Sequence, residues 1–229
     1  MRFKHLSVDF WHTLAEPNRA YTEFRKQTMA RYYGATASVA GYAYKVLKNA
    51  EETMAVQTGE VRRAESLRIL LNDAFATANN SLPLEEDEFA LMLAELEHGF
   101  LDRPPTLDQR GLETLHRVSC GGPTLSIGSN TNFIIRGSTI AKLLPDIFDF
   151  KLFSDELGRC KPCPRFYSAV VLGAGKANPQ LEFTEEILHI GDHEVCDVQG
   201  ALAMGLSAEL VTAERPITKL LEQLECEYA

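Results

Sequence analysis

The sequence predicts an α/β fold: a three-layer, Rossmann-like core around a parallel sheet, with a helical cap domain inserted into it. Two observations predict this architecture. Strand-like and helix-like runs alternate through residues 101–229, which is typical of a parallel sheet covered by helices on both faces. The first strand is separated from that region by residues 17–100, whose apolar residues recur at helical spacing. We therefore expect a core domain of residues 1–16 and 101–229 and a cap domain of residues 17–100.

The first strand is short and ends at an acid. The run L-S-V-D-F-W-H-T-L has apolar or small residues up to Val8, and Asp9 follows. Four helices are expected next, because apolar residues recur three or four positions apart. Their faces are Tyr21, Phe24, Thr28 and Tyr32; Val39, Tyr42, Val46, Ala50 and Met54; Leu67, Leu70, Leu71 and Phe75; and, in a helix opened by Pro83, Phe89, Leu93 and Leu96. The stretch D-R-P-P-T at 102–106 is expected to return the chain to the core.

The remaining core elements alternate in type. Short apolar runs between glycine and proline predict strands at 123–128, 147–153, 187–191 and 207–211. Helical spacing predicts helices at 107–118, 133–144, 166–173 and 196–204.

Composition and charge exclude several classes of protein. Of the 229 residues, 45% are hydrophobic and 24% are charged, as in an ordinary globular protein. The net charge is −9 and the pI is near 5.2, whereas a groove for nucleic acid needs clustered lysine and arginine. No apolar run approaches the roughly 18 residues of a membrane span. The first nine residues turn acidic before the apolar region of a signal peptide develops.

We expect a cytoplasmic monomer or homodimer that acts on a small, anionic molecule and binds neither nucleic acid nor a membrane. The five cysteines are an odd number in a chain too large to need disulfides, which is typical of reduced thiols. Cys160 and Cys163 form a C-x-x-C pair, half of a zinc site without a second pair, so two reduced thiols are the simpler interpretation.

Polar residues follow four of the predicted strands. Asp9 follows the first strand, Ser129 and Asn130 the second, and Lys161 lies in the loop after the third. Asp192 and Asp197 follow the fourth. Each could simply form a turn or cap a helix. Because ligands bind beyond the carboxyl ends of parallel strands, the set together predicts a site for phosphoryl transfer.

These four segments resemble the four motifs of the haloacid dehalogenase-like hydrolase superfamily. The matching stretches are V-D-F-W-H-T-L, S-I-G-S-N, G-R-C-K-P-C-P and G-D-H-E-V-C-D-V-Q-G-A-L-A-M-G. The helical insertion after the first strand lies where that superfamily has its helical cap. The resemblance covers nearly the whole chain.

The resemblance implies a role for each polar residue. Asp9 would be the nucleophile that takes the transferred group as an aspartyl ester, and a carboxylate in this role splits hydrolysis into two displacements. Ser129 would bind the phosphoryl oxygens, and Lys161 would neutralise nucleophile and phosphate. Thr13 and Asn130 are expected to contribute to substrate binding.

The resemblance also implies a magnesium site. Mg²⁺ would be bound by Asp9, Asp192 and the backbone carbonyl of Trp11, with Asp197 supporting the site. Such a set suits Mg²⁺, which prefers oxygen ligands and uses few carboxylates together with the substrate phosphate.

Trp11 departs from the phosphatases of the superfamily. They carry a second aspartate at this position, which gives a proton to the leaving oxygen. An indole has one N–H and cannot act as a general base, and general acid–base catalysis is typically worth about 10²- to 10⁴-fold. His12 and His193 flank the carboxylates and could replace the acid, or they could be ordinary loop residues.

Three functions remain open. The first is a magnesium-dependent phosphatase-type hydrolase limited to good leaving groups. The second is a metal-independent 2-haloacid dehalogenase, because those relatives carry an aromatic residue at the position of Trp11; the pair Gly191-Asp192 argues against it. The third is a catalytically weak binding or regulatory protein. Tyr21, Arg25 and other residues of the cap could line a pocket or form the core of the helical unit.

Overall fold

The computed structural model describes residues 2–228, with side chains up to Glu225. Cys226, the fifth cysteine of the sequence analysis, lies outside the described side chains. The strands are β1 His5–Val8, β2 Ala15–Glu16, β3 Thr106–Leu107, β4 Thr124–Ser129, β5 Phe150–Phe153, β6 Ile187–Gly191 and β7 Ser207–Leu210. The helices are α1 Arg19–Tyr32, α2 Ala37–Thr58, α3 Ala64–Asn79, α4 Glu86–Asp102, α5 Gln109–Ser119, α6 Gly137–Ala141, α7 Ser154–Leu157, α8 Pro164–Ala177, α9 Gly200–Leu202 and α10 Ile217–Tyr228.

The central sheet is parallel and has five strands in the order β5–β4–β1–β6–β7. The predicted α/β class with a parallel sheet is confirmed. Strand β1 lies in the middle, and its last residue, Val8, is in register with Ile127 of β4 and Ile190 of β6. The residues that follow these three strands therefore emerge side by side at one edge of the sheet.

The two faces of the sheet differ in polarity. On one face Leu6 and Val8 pack into an apolar core with helices α5 and α10, including Leu115 and Leu220. Successive residues of a strand point to opposite faces. His5 and Ser7 therefore lie on the other face, where α8 packs, and both are fully buried.

Helices α1 to α4 form a bundle with an apolar core of its own. That core includes Met29, Leu47, Leu71, Phe75 and Leu96. The short antiparallel pair β2–β3 brings the two connections between bundle and sheet together, with Glu16 opposite Thr106. The chain thus leaves and re-enters the core through adjacent strands, which fits the predicted return at 102–106. The domain boundaries at residues 16 and 101 stay a prediction.

Several predicted elements have different limits. The helix predicted at 133–144 is only α6, because Asn132 Oδ1 accepts the N–H groups of Ile134 and Ile135 and Asp155 accepts that of Gly137. Pro83 does not open α4, which begins at Glu86. The helix predicted at 196–204 starts earlier, as a π-helical turn Glu194–Gln199 followed by α9.

Among the described helices, none combines the length and the apolar character that a bilayer crossing requires.

Candidate active site

Asp9 and Lys161 form a buried ion pair at the carboxyl edge of the sheet. The Asp9 backbone N–H donates to the Ile190 carbonyl oxygen at 2.8 Å, which fixes Asp9 at the end of β1. Lys161 Nζ donates to Asp9 Oδ1 at 2.7 Å, and the two side chains are only 2% and 8% exposed. Burial raises the pKa of the Asp9 carboxyl, and the charge of Lys161 opposes that rise.

Asp197 shares the same lysine and is held from three sides. Lys161 Nζ donates to its Oδ1 at 2.6 Å, His189 Nε2 lies 3.1 Å from that oxygen, and the His193 backbone N–H donates to Oδ2 at 2.9 Å. Burial acts to raise the pKa of Asp197, but Lys161 and His189 outweigh it and hold this pKa below its ordinary value. Burial lowers the pKa of His189, so its ring is neutral and Nε2 carries the proton facing the carboxylate.

Asp192 completes a cluster of three carboxylates. Oxygen atoms of Asp9, Asp192 and Asp197 all lie within 4.8 Å of one another. Lys161 is the one ammonium or guanidinium group within ion-pair distance of the cluster in the described part of the chain. Burial, followed by the charge of Asp197, raises the pKa of Asp192. This excess of negative charge and the all-oxygen donor set fit a small divalent cation such as Mg²⁺.

Two hydroxyl groups predicted to bind substrate have no internal partner in the described part of the chain. Ser129 and Thr13 are buried, and neither Ser129 Oγ nor Thr13 Oγ1 has a hydrogen-bond partner among the described residues. Buried hydroxyls are normally paired, so both suit contacts to substrate oxygens. Asn130 instead holds the lysine loop: its Oδ1 accepts the Lys161 N–H at 2.8 Å and its Nδ2 donates to the Lys161 carbonyl at 3.0 Å. Substrate binding by Asn130 stays a prediction.

Trp11 lies in a tight turn directly after Asp9. His12 adopts a left-handed backbone conformation in this turn, with φ of 56°. The half-buried indole ring contacts Phe10 and Phe100 edge-on, with centroid distances of 4.9 and 6.2 Å. An apolar ring therefore stands where the resemblance places an acid. Metal binding by the Trp11 carbonyl stays a prediction.

A cavity of about 540 Å³ lies between the bundle and the carboxyl edge of the sheet. Its lining includes Trp11, Asn130 and Thr131 from the core. From the bundle and its loops come Tyr21, Arg25, Tyr44, Lys48, Glu51, Glu52, Phe100 and Arg62. The bundle thus covers the strand ends.

Glu51 is a carboxylate of the cavity that the sequence did not reveal. It lies on α2, accepts a hydrogen bond from Asn132 Nδ2 at 3.0 Å, and is half-buried. Burial raises the pKa of Glu51 to about 7, against the opposing effects of Asn132 and Arg62. Helical spacing could not mark it, because only the fold places this part of α2 over the strand ends.

The two histidines considered as proton donors have other partners. His193 Nδ1 accepts the backbone N–H groups of Val195 and Cys196, both at 3.2 Å, so its ring caps the following turn. His12 lines the cavity, but its Nδ1 lies 3.2 Å from Glu16 on the exposed surface. Of the two, His12 is the one that lines the cavity.

Cys160 and Cys163 join the lysine loop to the bundle. Both are free thiols, as are Cys120 and Cys196. The Cys160 backbone N–H donates to the Gly59 carbonyl at 3.1 Å, and Gly59, at the end of α2, has φ of 66° and packs directly on Cys163. The C-x-x-C pair thus lies in the contact between the lysine loop and the end of α2.

No protein-family profile matches the chain. A curated human protein described as haloacid dehalogenase-like hydrolase domain-containing protein 3 is 29% identical over 107 residues, which are 46% of this chain and 39% of that protein. The match therefore spans about two fifths of the relative's length.

Solved structures match nearly the whole chain. A 2-haloacid dehalogenase from Pseudomonas syringae pv. tomato has a TM-score of 0.67 at 18% identity, covering 99% of this chain and 100% of that one. The HAD-hydrolase YfnB from Bacillus subtilis, bound to magnesium, has 0.70 at 18% identity, covering 99% of each chain. A HAD phosphatase from Thermococcus onnurineus has 0.59 at 17% identity, covering 97% and 98%.

These likenesses establish the architecture. The chain has the fold of the haloacid dehalogenase-like hydrolases, as the resemblance of its motifs implied. Proteins of this fold include both dehalogenases and phosphatases, so the fold leaves the reaction open.

Proposed function

We propose that this chain is a cytoplasmic hydrolase that uses Asp9 as nucleophile on a small, anionic metabolite. The reaction that its residues suit best is a magnesium-dependent, phosphatase-type hydrolysis of substrates with good leaving groups. In this proposal the bundle acts as a cap that excludes water from the cavity and selects the substrate.

The carboxylate cluster carries this proposal. Three acids within 4.8 Å of one another face a single ammonium group, an arrangement that repels itself unless a cation balances it. Asp9, Asp192 and the Trp11 carbonyl would hold Mg²⁺, with Asp197 in support. When bound, Mg²⁺ would stabilise the negative charge of the transferring phosphoryl group.

The chain's own residues supply the remaining steps. An Asp9 carboxylate oxygen attacks phosphorus, the bond to the leaving oxygen breaks, and water then hydrolyses the aspartyl phosphate to release phosphate. Lys161, which donates to Asp9 Oδ1 at 2.7 Å, orients the nucleophile. The free hydroxyls of Ser129 and Thr13 are available to bind phosphoryl oxygens.

A substrate panel tests the proposal. Aryl phosphates, acyl phosphates and 2-haloacids are incubated with and without Mg²⁺, using the wild type and Asp9→Asn. We expect phosphate release only with Mg²⁺, and a loss of at least about 10³-fold in the variant, because removing a nucleophile leaves little catalysis. Asp146→Asn, which changes an exposed acid instead, is the matched control.

The second candidate is a metal-independent 2-haloacid dehalogenase. The aromatic ring of Trp11, two residues after the candidate nucleophile, favours it, since it makes part of the cavity wall apolar. Halide release without added metal, together with no phosphate release from any ester, would establish it in place of the phosphatase. No turnover of either class would favour a binding or regulatory protein.

A further inference from the structure

An arginine of the cavity has no acidic partner. Arg25 lines the cavity from α1, and its guanidinium carbon lies 3.4 Å from the centre of the Tyr44 ring and 5.7 Å from that of Tyr21. Its helix neighbours Lys26 and Arg31 are paired with Glu23 and Glu95 respectively. Within residues 2–225, no carboxylate lies at ion-pair distance from Arg25.

Two hydrogen-bonding atoms at this place are also unpaired. The Nε of Arg25 and the hydroxyl of Tyr21 are buried and have no hydrogen-bond partner in the described structure. Tyr21 is only 3% exposed, and burial raises the pKa of its hydroxyl, which is therefore a neutral donor. Unpaired buried donors are costly, and they are rare in native proteins unless a ligand or water completes them.

Two other cations of the cavity lie near carboxylates. Lys48 Nζ lies 3.5 Å from Glu52 Oε1, and Arg62 is close enough to Glu51 to lower its pKa. Within the described lining of the cavity, Arg25 and Arg62 are the arginines without an ion pair, and the Nε of each is buried and unpaired. Arg25 is the one that lies beside Tyr21, at the α1 wall.

We propose that Arg25 and Tyr21 form a subsite for a carboxylate of the substrate, separate from the group that reacts at Asp9. The position of the reacting group rests on the proposed function; the subsite rests on the contacts above. The planar guanidinium fork matches a carboxylate, and its single charge balances a monoanion better than a phosphate dianion.

The part of the cavity wall between the proposed carboxylate subsite and Asp9 indicates the chemistry of the rest of the ligand. The rings of Trp11, Phe100 and Tyr21 adjoin one another, with centroid distances of 6.2 and 5.1 Å. An apolar or aromatic spacer would lie along this wall. The substrate class is thus a small molecule with a reacting group at one end, a short apolar spacer, and a carboxylate at the other end.

Binding of a carboxylate probe tests the subsite without any turnover. The affinities of phenylacetate and its neutral analogue phenylacetamide are measured by NMR titration, without metal, on the wild type, Arg25→Gln, Tyr21→Phe and Arg19→Gln. Arg19 is an exposed arginine of the same helix and serves as the matched control. We expect the wild type and Arg19→Gln to prefer the carboxylate by at least about tenfold, the value of a charged hydrogen-bonded pair.

Arg25→Gln should abolish that preference, and Tyr21→Phe should weaken phenylacetate binding at least about threefold, as loss of one hydrogen bond does. Equal binding of the two probes to the wild type, or a preference that survives in Arg25→Gln, would overturn the subsite. If Arg25→Gln does not fold, unchanged phenylacetate binding in Tyr21→Phe overturns it. Because the probes are not hydrolysed, an inactive enzyme that shows the preference would contradict the proposed function alone.

Discussion

Trp11 is the residue at which this chain departs from the phosphatases that it resembles. Its ring contacts Phe10 and Phe100 and faces the cavity, so the position two residues after Asp9, which would hold a proton donor, is apolar. A leaving group that needs no proton, such as an aryl or acyl phosphate, is unaffected by this change. An alkyl phosphate needs a proton on its leaving oxygen and is affected.

The dependence of rate on leaving group follows from this position. We expect the wild type to hydrolyse an aryl phosphate at least about 100-fold faster than a sugar phosphate, the low end of what general acid catalysis contributes. Trp11→Asp should narrow that gap, measured as the ratio of kcat/KM values. Trp11→Asn creates a similar void without an acid and should not narrow it. Equal wild-type rates on both substrates would mean that another acid, such as Glu51 or His12, already serves.

Glu51 should make folding stability depend on pH. Its pKa is about 7 in the folded protein against an ordinary 4.5, so the folded state keeps a proton that the unfolded chain releases between these values. The wild type should therefore lose stability relative to Glu51→Gln as pH rises from about 4.5 to 7, by on the order of 2 kcal/mol.

Denaturant unfolding at several pH values measures this difference, and ¹³C NMR of the carboxyl group measures the pKa directly. Glu52→Gln, one position further on α2 and exposed, is the matched control and should retain the wild-type pH dependence. A pH-independent difference between the wild type and Glu51→Gln would contradict the prediction.

At the level of elements, the end of α2 is fitted closely to the lysine loop. A Cβ atom added to Gly59 would lie 2.4 Å from Cys163 Cβ, and the residue also has a positive φ. Gly34, after α1, has a similar φ of 59° but no atom within 4 Å of such a Cβ. A substitution at Gly34 therefore tests backbone strain alone, whereas one at Gly59 tests strain together with packing between the bundle and the core.

Gly59→Ala should destabilise the protein more than Gly34→Ala. The strain of a left-handed residue costs roughly 1–2 kcal/mol in either variant, and the overlap with Cys163 adds about 1–3 kcal/mol in the first. Denaturant unfolding measures both. Gly59→Ala should also lower activity, because Cys160 and Lys161 share the displaced loop. Equal losses of stability would mean that the loop moves away at no cost.

The sequence predicted the elements correctly where the local pattern of residues and the tertiary structure agree. The strand predicted at 187–191 is β6 as observed, and polar residues after the strands do converge at one edge of the sheet. The sequence did not predict the limits of elements that are set by long-range contacts. Asn72 anchors Leu84 through hydrogen bonds to both its N–H and its carbonyl, which keeps that residue extended and delays α4 to Glu86.

Other elements and some residues of the cavity could not be predicted from the local pattern of residues for the same reason. The strand predicted at 147–153 begins only at Phe150, because the Asp149 side chain accepts the Leu125 N–H in place of a ladder partner. Helix α10 and the pair β2–β3 were missed. Arg25 was considered as a pocket residue and does line the cavity, whereas Glu51 was missed, because only folding places α2 over the sheet edge.

The described part of the molecule has three apolar cores, one in the bundle and two around the sheet, and a cavity with charged residues in its lining lies between bundle and sheet edge. Residues that follow the strands, such as Trp11 and Asn130, line one side of the cavity, and the bundle with Arg25 lines the other. A ligand that spans the cavity contacts both bodies at once, so it would favour their closure. Because folding brings the three acids together, their mutual repulsion affects the stability of the folded state as well as the chemistry of the site.

Magnesium should therefore stabilise the folded molecule through Asp192. A ligand that binds only the folded state at one hundred times its Kd contributes about 2.7 kcal/mol, or roughly 5–10 °C in Tm for a chain of this size. Without metal, Asp192→Asn should be at least as stable as the wild type, because it relieves repulsion within the cluster. With Mg²⁺ the wild type should be more stable than Asp192→Asn, since of these two proteins only the wild type gains stability from the metal. Asp146→Asn, an exposed acid away from the cluster, should gain as the wild type does. Thermal unfolding across a Mg²⁺ titration measures all three proteins, and an equal gain in Asp192→Asn would place the metal elsewhere.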